Sequence, residues 1–180
     1  MLEQARAKGG DAVSFRLGDL RDIRLGREFD AVLLLFAVLG YQYANEDVLA
    51  ALRTARAHLR PGGLLLFDVW YGPAVLHERP APRLRTVESG THRLLRFSDG
   101  ELDLRRHLCS VDFRIWELEG ARLVAETEER HQMRYFFPLE LELFLATAGL
   151  SLLRLGAFPD VEAEPDETTW NVIAVSRTSP

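Results

Sequence analysis

Two nearly continuous apolar runs, separated by a helical pattern, dominate the first half of the chain. Residues 29–36 are mostly apolar, which is typical of a parallel strand buried on both faces. Asn45 is the predicted N-cap of a following helix, in which apolar positions recur at spacings of three and four. The helix is expected to end at residues 61–63, Pro-Gly-Gly, and residues 64–69 form the second apolar run. The pattern predicts a strand–helix–strand unit with a right-handed crossover.

Weaker patterns extend this alternation of helix and strand towards both ends of the chain. Residues 1–8 are rich in helix formers, and apolar side chains at every second position predict a strand over residues 12–17. Pro138 marks the first position of a later helix, and Gly149 lies just past its end. Further strands are predicted at residues 150–155 and 170–176, with an acidic loop between them. The overall pattern predicts an α/β fold.

The segment between these regions has a different pattern: apolar and polar residues alternate in short runs that are separated by turn-forming residues. Candidate strands are residues 84–88, 92–97, 101–118 and 121–136, and the expected hairpin turns are residues 98–100 and 119–120. We therefore predict an antiparallel β-meander, residues 73–133, inserted into an α/β core made of residues 1–72 and 134–180.

Composition narrows the range of partners. The 180 residues carry a net charge of −5, which argues against a broad nucleic-acid-binding face. No apolar run approaches the roughly 20 residues that span a bilayer, and no signal-peptide pattern is present, so no membrane partner is expected. Cys109 is the lone cysteine, which fits a reducing cytoplasm. The five histidines show no metal-ligand spacing, which predicts no metal.

Three segments together resemble the class I S-adenosylmethionine-dependent methyltransferases. These are residues 18–20 after a predicted strand, residues 28–41 around the first apolar run, and residues 59–68, in which Leu-Arg-Pro-Gly-Gly precedes the second run. Residues 136–150 are similar to a late helix and the sixth strand of that fold. The resemblance implies a Rossmann-like methyltransferase sheet of seven strands, the last antiparallel, and S-adenosylmethionine as the cofactor.

On this template the chain begins after the second strand of the sheet. The first two strands, the glycine-rich cofactor loop and the acidic residue that holds the cofactor ribose have no counterpart in the sequence, so half of the cofactor pocket is expected to be missing. The strand at residues 29–36 would lose its neighbour on one side, and an unpaired apolar edge is a template for pairing with another chain. We expect a homodimer in preference to a rearranged monomer.

The resemblance also implies roles for individual residues. Asp19 and Leu20 would contact the adenine, although Asp19 is also a typical turn residue. The segment after the first apolar run would line the cofactor and substrate sites. The expected cofactor contacts are thus Asp19, Leu20, Phe36 and Ala37, and the expected substrate contacts are Tyr41, Trp70 and Tyr71.

The catalytic candidates lie where the meander returns to the core. His131 is a candidate general base for the proton lost on methylation, and Tyr135 lies beside it in sequence; the alternative is that both are structural. Asp68, at the end of the second run, is expected either to orient a substrate amine or hydroxyl or to cap a loop.

The function implied is methyl transfer to a nitrogen or oxygen atom of a small molecule. The alternative is a truncated, non-catalytic methyltransferase-like domain that serves as a binding or partner subunit. No glycine-rich fingerprint follows any predicted strand, which argues against a nucleotide-dependent oxidoreductase.

Overall fold

The computed structural model describes residues 2–9, 13–90 and 92–178. Its helices are α1 (Leu2–Gly9), α2 (Asn45–Ala57), α3 (Gly72–His77) and α4 (Pro138–Thr147), with a 3-10 helix at Val38–Tyr41. The strands are β1 (Phe29–Leu34), β2 (Leu59–Tyr71), β3 (Arg83–Ser89), β4 (His92–Asp103), β5 (Leu108–Glu119), β6 (Arg122–Phe136), β7 (Leu150–Ala157) and β8 (Asn171–Thr178).

The predicted strand–helix–strand unit is confirmed as β1, α2 and β2. The expectation that β1 is buried on both faces is wrong, because Leu34 is its only buried residue. β1 and β2 pair in parallel, and the buried face of α2 packs on them through Val48 and Leu52, both fully buried. β2 begins earlier than expected, because Leu59 already pairs with Phe29. Residues 61–63 form an irregularity in the strand, after which Leu64 pairs with Ala31 and the regular ladder continues. Asn45 is not the N-cap: Ala44 holds that position.

β2 is the centre of the sheet and the place where core and meander meet. The strand order is β3-β4-β5-β6-β2-β8-β7, with β1 also paired to β2. β8 runs antiparallel along one edge of β2 as far as Trp70. The end of β6 pairs in parallel with Trp70 and Tyr71, beyond the carboxyl end of β1. The last residues of β6 therefore lie next to the strand ends where α/β proteins bind ligands.

The strand predicted at residues 12–17 is wrong for the part that the structure describes. Ala12 lies outside the described residues, and residues 13–17 form no strand. Val13 and Leu17 are 52% and 86% exposed, because no neighbouring strand covers them. Among the described strands, β1 pairs with β2 alone.

The meander is confirmed, but one of its turns lies elsewhere. Residues 98–100 are part of β4, where Gly100 pairs with Val111 of β5. A side chain at Gly100 would bring its Cβ to 2.4 Å from the Cβ of Pro80, so this glycine allows a close approach of two segments and does not form a turn. The actual turn follows Asp103, whose carboxylate accepts the backbone N–H groups of residues 105 and 106. The turn expected at residues 119–120 is present one position later, at residues 120–121, because Glu119 still pairs with Arg122.

The C-terminal elements agree with the sequence pattern. α4 begins at Pro138 and is followed by Gly149, which has the positive φ of 76° that favours glycine. β7 and β8 then form the far side of the sheet. Helix α3, directly after β2, was not predicted, since its Pro73, followed by Pro80 and Pro82, indicated a loop. None of the described helices has the length and apolar character needed to cross a membrane.

Candidate active site

The carboxyl ends of β1 and β2 and one face of the meander enclose the candidate site. Side chains alternate along a strand, so Asp68 and Trp70 share one face of β2 and Tyr71 lies on the other. Trp70 pairs directly with Tyr135 of β6, which continues the same face into the meander. The register of β5 with β6 adds Val111 and His131 to that face, because directly paired residues point to the same side.

A cavity of about 390 Å³ opens on this face. Its floor is apolar and aromatic, with Trp70 and Trp170 in an edge-to-face pair at 5.6 Å between ring centroids. The remaining lining is Cys109, Val111 and Phe113 of β5, Ser98 and Gly100 of β4, the charged residues Glu78, Arg83, Arg85, Arg96 and Asp99, and Pro80 and Ala81.

Trp70 and Tyr71, both predicted to bind substrate, are separated by the structure. Tyr71 lines a different cavity of about 710 Å³ together with residues of α4 and β7. We favour the smaller of the two cavities as the candidate site, because Trp70 in its floor lies at the β2 strand end and Phe113 in its wall contacts His131.

A chain of three polar side chains lies beside this cavity. The Tyr41 hydroxyl lies 3.1 Å from Nδ1 of His131, and Nε2 of His131 lies 3.2 Å from Oε2 of Glu129. A carboxylate only accepts, so this arrangement assigns the imidazole proton to Nε2 and leaves Nδ1 to accept from the Tyr41 hydroxyl. The His131 ring also contacts Phe113 edge-to-face at 5.6 Å.

The two catalytic candidates have separate surroundings. Tyr135 is only 1% exposed and stacks on His107 at 5.4 Å, among Val75 and Cys109. Burial, and secondarily the negative charge of nearby acids, raises the pKa of its hydroxyl. His131 is about one-third exposed and contacts Tyr41, Phe113 and Glu129. A catalytic role for Tyr135 stays a prediction, for which these buried surroundings offer no support.

The turn after β1 is held in an unusual conformation. Phe36 and Ala37 have φ angles of 66° and 53°, values that side-chain-bearing residues rarely adopt. The backbone N–H of Ala37 donates to Oδ2 of Asp68 at 2.9 Å. Asp68 is 1% exposed, and its other oxygen, Oδ1, has no hydrogen-bond partner among the residues that the structure describes. Burial raises the pKa of Asp68, while the N–H groups of Ala37 and Phe36 act in the opposite direction.

Asp19 forms a turn in the way the alternative interpretation expected. Both of its carboxylate oxygens accept from the Arg21 guanidinium, at 3.0 and 2.8 Å, and Oδ1 also accepts the Arg21 backbone N–H at 2.9 Å. The Arg21 hydrogen bonds lower the pKa of Asp19 to about 2. Arg21 further donates to Asp47 in the first turn of α2, and Leu20 packs half-buried against the core. Adenine contacts by Asp19 and Leu20 stay predictions.

Arg134 was missed by the sequence analysis. Its guanidinium is buried and donates to the Tyr43 carbonyl at 3.2 Å, to Oδ1 of Asn45 at 2.8 Å, and to Glu140 in the first turn of α4. Tyr43 and Asn45 lie 91 and 89 residues away in sequence, so no local pattern indicates this connection. Arg134 fixes the segment after Tyr41 against α4 and thereby positions the wall that carries Tyr41.

The two residues of the turn after β1, both predicted to contact the cofactor, differ in exposure. Phe36 is 90% exposed at the carboxyl end of β1, whereas Ala37 is only 5% exposed. Asp68 holds the adjacent Ala37 in place. Cofactor contacts by Phe36 and Ala37 stay predictions. The described residues contain no cluster of three or more His, Cys, Asp or Glu side chains that could hold a metal ion.

Comparison with known proteins supports a methyltransferase fold. Residues 1–63 match the family described as methyltransferase domain. The structure is similar to the methyltransferase CcbJ of Streptomyces caelestis, with a TM-score of 0.78, 25% identity, and coverage of 98% of this chain and 73% of that chain. It also shares the fold of CalS10, an S-adenosylmethionine-bound amino pentose methyltransferase of Micromonospora echinaspora (TM-score 0.72, 22% identity, 90% and 63% coverage).

In sequence, the chain is 30% identical over 155 residues to the dTDP-3-amino-3,6-dideoxy-alpha-D-glucopyranose N,N-dimethyltransferase of Streptomyces fradiae. That match covers 84% of this chain and 58% of the relative, so the chain spans less than two-thirds of the relative's length. The fold is that of the class I S-adenosylmethionine-dependent methyltransferases, and these similarities support S-adenosylmethionine as the cofactor.

Proposed function

We propose that this chain forms the substrate side of an S-adenosylmethionine-dependent N-methyltransferase that acts on an amine-bearing small molecule. An amino sugar is the substrate class that we favour, since such sugars are named for the relatives in Streptomyces fradiae and Micromonospora echinaspora. When bound, the cofactor supplies the methyl group.

The observation that carries the proposal is the hydrogen-bonded chain from Tyr41 through His131 to Glu129. An amine that gains a methyl group must lose a proton. The Tyr41 oxygen, at the strand-end rim, accepts that proton from the amine while its own proton passes to Nδ1 of His131. The Glu129 carboxylate then stabilises the resulting imidazolium. In this scheme Tyr41 contacts the substrate, His131 is the base, and Glu129 orients the base.

The remaining residues prepare the cavity for this step. Trp70 and Trp170 supply an apolar floor that removes water from the substrate, and a dry site strengthens the polar interactions within it. Asp68 holds the turn at Phe36 and Ala37, which would lie against the cofactor. Alignment of amine and methyl group is the main task, because a displacement of this kind gains most from positioning.

Substitution of His131 tests the proposal. His131→Gln removes the base and should lower kcat about 10²-fold or more with little change in KM. Glu129→Gln should lower kcat by a smaller factor, since the base remains but its orientation weakens. His92→Gln is the matched control. His92 lies beside Glu117 at the start of β4, far along the sheet from Val111, which is the direct strand partner of His131. This variant should retain full activity.

Two results would argue against this assignment. Unchanged kcat in His131→Gln would show that His131 is structural. Absence of methyl transfer from the unmodified protein to any amino sugar or small amine would favour the alternative, a non-catalytic domain that acts as a binding or partner subunit.

A homodimer in the cytoplasm completes the proposal. β1 has a strand partner on one side only within the described part of the chain, and Leu33 on it is 57% exposed, so a second copy could pair there. Light scattering over a dilution series should show a two-chain species, and a strictly monomeric protein at high concentration would contradict it.

The cytoplasmic location is supported by the single, buried and reduced Cys109.

A further inference from the structure

The β3–β4 wall of the candidate cavity carries an arrangement of arginines that methyl transfer alone does not require. Arg83, Arg85 and Arg96 all line this cavity, together with the two carboxylates of Glu78 and Asp99. The wall is therefore locally positive on a protein whose net charge is −5.

Arg85 and Arg96 lie directly opposite each other in the β3–β4 ladder. Like charges in direct cross-strand register repel and destabilise the pair. Arg96 has a partial compensation, since its guanidinium lies 5.4 Å from the centre of the Phe113 ring. An aromatic face attracts a cation but does not neutralise it.

The other arginines of the meander strands show what is missing at this pair. Strands β3 to β6 carry eight arginines, and six of them lie within 4.0 Å of a carboxylate oxygen. Arg85 and Arg96 are the two without such a partner among the described residues. Arg83, beside them, has only a long contact of 3.9 Å to Glu78.

From this contrast we propose that Arg85 and Arg96, with Arg83, bind a phosphate group of the substrate. Two guanidinium forks facing one cavity match the oxygens of a phosphate or diphosphate, which guanidinium groups bind in bidentate fashion. The Trp70–Trp170 floor would lie against the organic part of the same molecule. The ligand class is thus a phosphate ester, such as a nucleoside diphosphate, that carries the amine.

This proposal deepens the proposed function, because the phosphate would belong to the methyl acceptor, but its test needs no methyl transfer. Calorimetric titrations of the protein at low salt would use three probes: thymidine diphosphate, inorganic pyrophosphate and thymidine. We expect thymidine diphosphate and pyrophosphate to bind and thymidine to bind far more weakly. Raising the salt concentration should weaken both phosphate probes, since the attraction is electrostatic.

Variants locate the site. Arg85→Gln and Arg96→Gln should each weaken binding of both phosphate probes roughly ten- to a hundredfold, and the double variant should abolish it. Arg114→Gln is the matched control, because Arg114 lies on β5 with its side chain on the opposite face, paired with Glu128. It should leave binding unchanged. Thermal unfolding without ligand should confirm that every variant folds, and the Arg85→Gln protein should be at least as stable as the parent once the repulsion is removed.

Three outcomes would overturn the phosphate site: no binding of either phosphate probe to the unmodified protein, equal binding by the double variant, or thymidine binding as tightly as thymidine diphosphate. A further arm separates two sources of the phosphate. Tighter binding of thymidine diphosphate than of pyrophosphate indicates a phosphate ester seated on the tryptophan floor, whereas equal binding indicates a free-anion site and overturns the substrate assignment. Because binding does not depend on His131, loss of turnover in His131→Gln with intact phosphate binding keeps the two proposals distinguishable.

Discussion

The α/β core and the meander are stabilised in different ways, although one continuous sheet joins them. In the core, alternate residues of β2, such as Leu65, Phe67 and Val69, are completely buried between helices and neighbouring strands. In the meander, Leu84 and Val87 of β3 are about 60% exposed, and residues 122–130 of β6 are exposed throughout. Burial of apolar area dominates the first region, whereas backbone ladders and cross-strand ion pairs dominate the second.

This difference bears on where function can be located. Exposed cross-strand ion pairs each contribute about 1 kcal/mol or less, so a meander side chain can change with little cost to the fold. The meander can therefore carry residues chosen for chemistry, such as His131 and the opposed Arg85 and Arg96. The core contributes fewer such groups, and those it has, such as Asp68, are buried and held by hydrogen bonds.

The largest expected effect is a loss of folding stability when an apolar side chain is truncated in the core, compared with the same kind of truncation in the meander. Phe67→Ala should lower the free energy of unfolding by about 3–5 kcal/mol, because it removes a fully buried aromatic ring and leaves a cavity. Val87→Ala, at an exposed position of β3, should lower the free energy of unfolding by about 1 kcal/mol or less. Chemical denaturation of the purified proteins measures both. Similar losses from the two substitutions would show that the meander is packed as tightly as the core.

The same contrast explains which parts of the fold could be predicted from the sequence. α2 and β2 are long and strongly patterned, and each buries one face, so their hydrophobic periodicity determined them almost completely. The apolar run also predicted β1, although Leu34 is its only buried residue. The turn predicted at residues 98–100 failed because Gly100 serves the close approach of Pro80, a contact that local sequence does not reveal. The strand at residues 12–17 failed because alternation alone cannot supply a neighbouring strand.

The candidate site was predictable only in part, for a related reason. The rule that ligands gather at the carboxyl ends of parallel strands indicates the region of Phe36, Tyr41 and Trp70, and a binding role for these residues stays a prediction. The hydrogen bond from Tyr41 to His131 joins residues 90 positions apart, and the opposition of Arg85 and Arg96 depends on a strand register. Such relations arise only when the chain has folded, so no motif in the sequence contains them.

A smaller expected effect is the pH dependence of folding stability that arises from two carboxylates, the buried Asp68 and the exposed Asp19. Burial raises the pKa of Asp68 above its ordinary value of 3.8, whereas Arg21 lowers that of the exposed Asp19 to about 2. A raised folded-state pKa means that the native protein binds the proton more tightly than the unfolded chain does. Asp68 therefore stabilises the fold below pH 3.8, and this contribution is lost as the pH rises through the raised pKa. The contribution of Asp19 has the opposite sign: it is present above pH 3.8 and is lost as the pH falls through about 2.

Isosteric amides separate the two contributions. Asp68→Asn keeps an oxygen that can accept the Ala37 N–H and cannot ionise, so it should flatten the fall in stability on the neutral side of pH 3.8 and leave the acid side unchanged. Asp19→Asn should flatten only the acid side, and because Asp19 is exposed its effect should be the weaker of the two. Denaturant unfolding of both variants and the parent across acid to neutral pH measures these slopes. A parent whose stability does not fall above pH 3.8, or an Asp68→Asn profile parallel to that of the parent, would show that the buried carboxylate has found a partner for Oδ1. The turn at Phe36 and Ala37 would then be held by a more complete hydrogen-bond network than the one described.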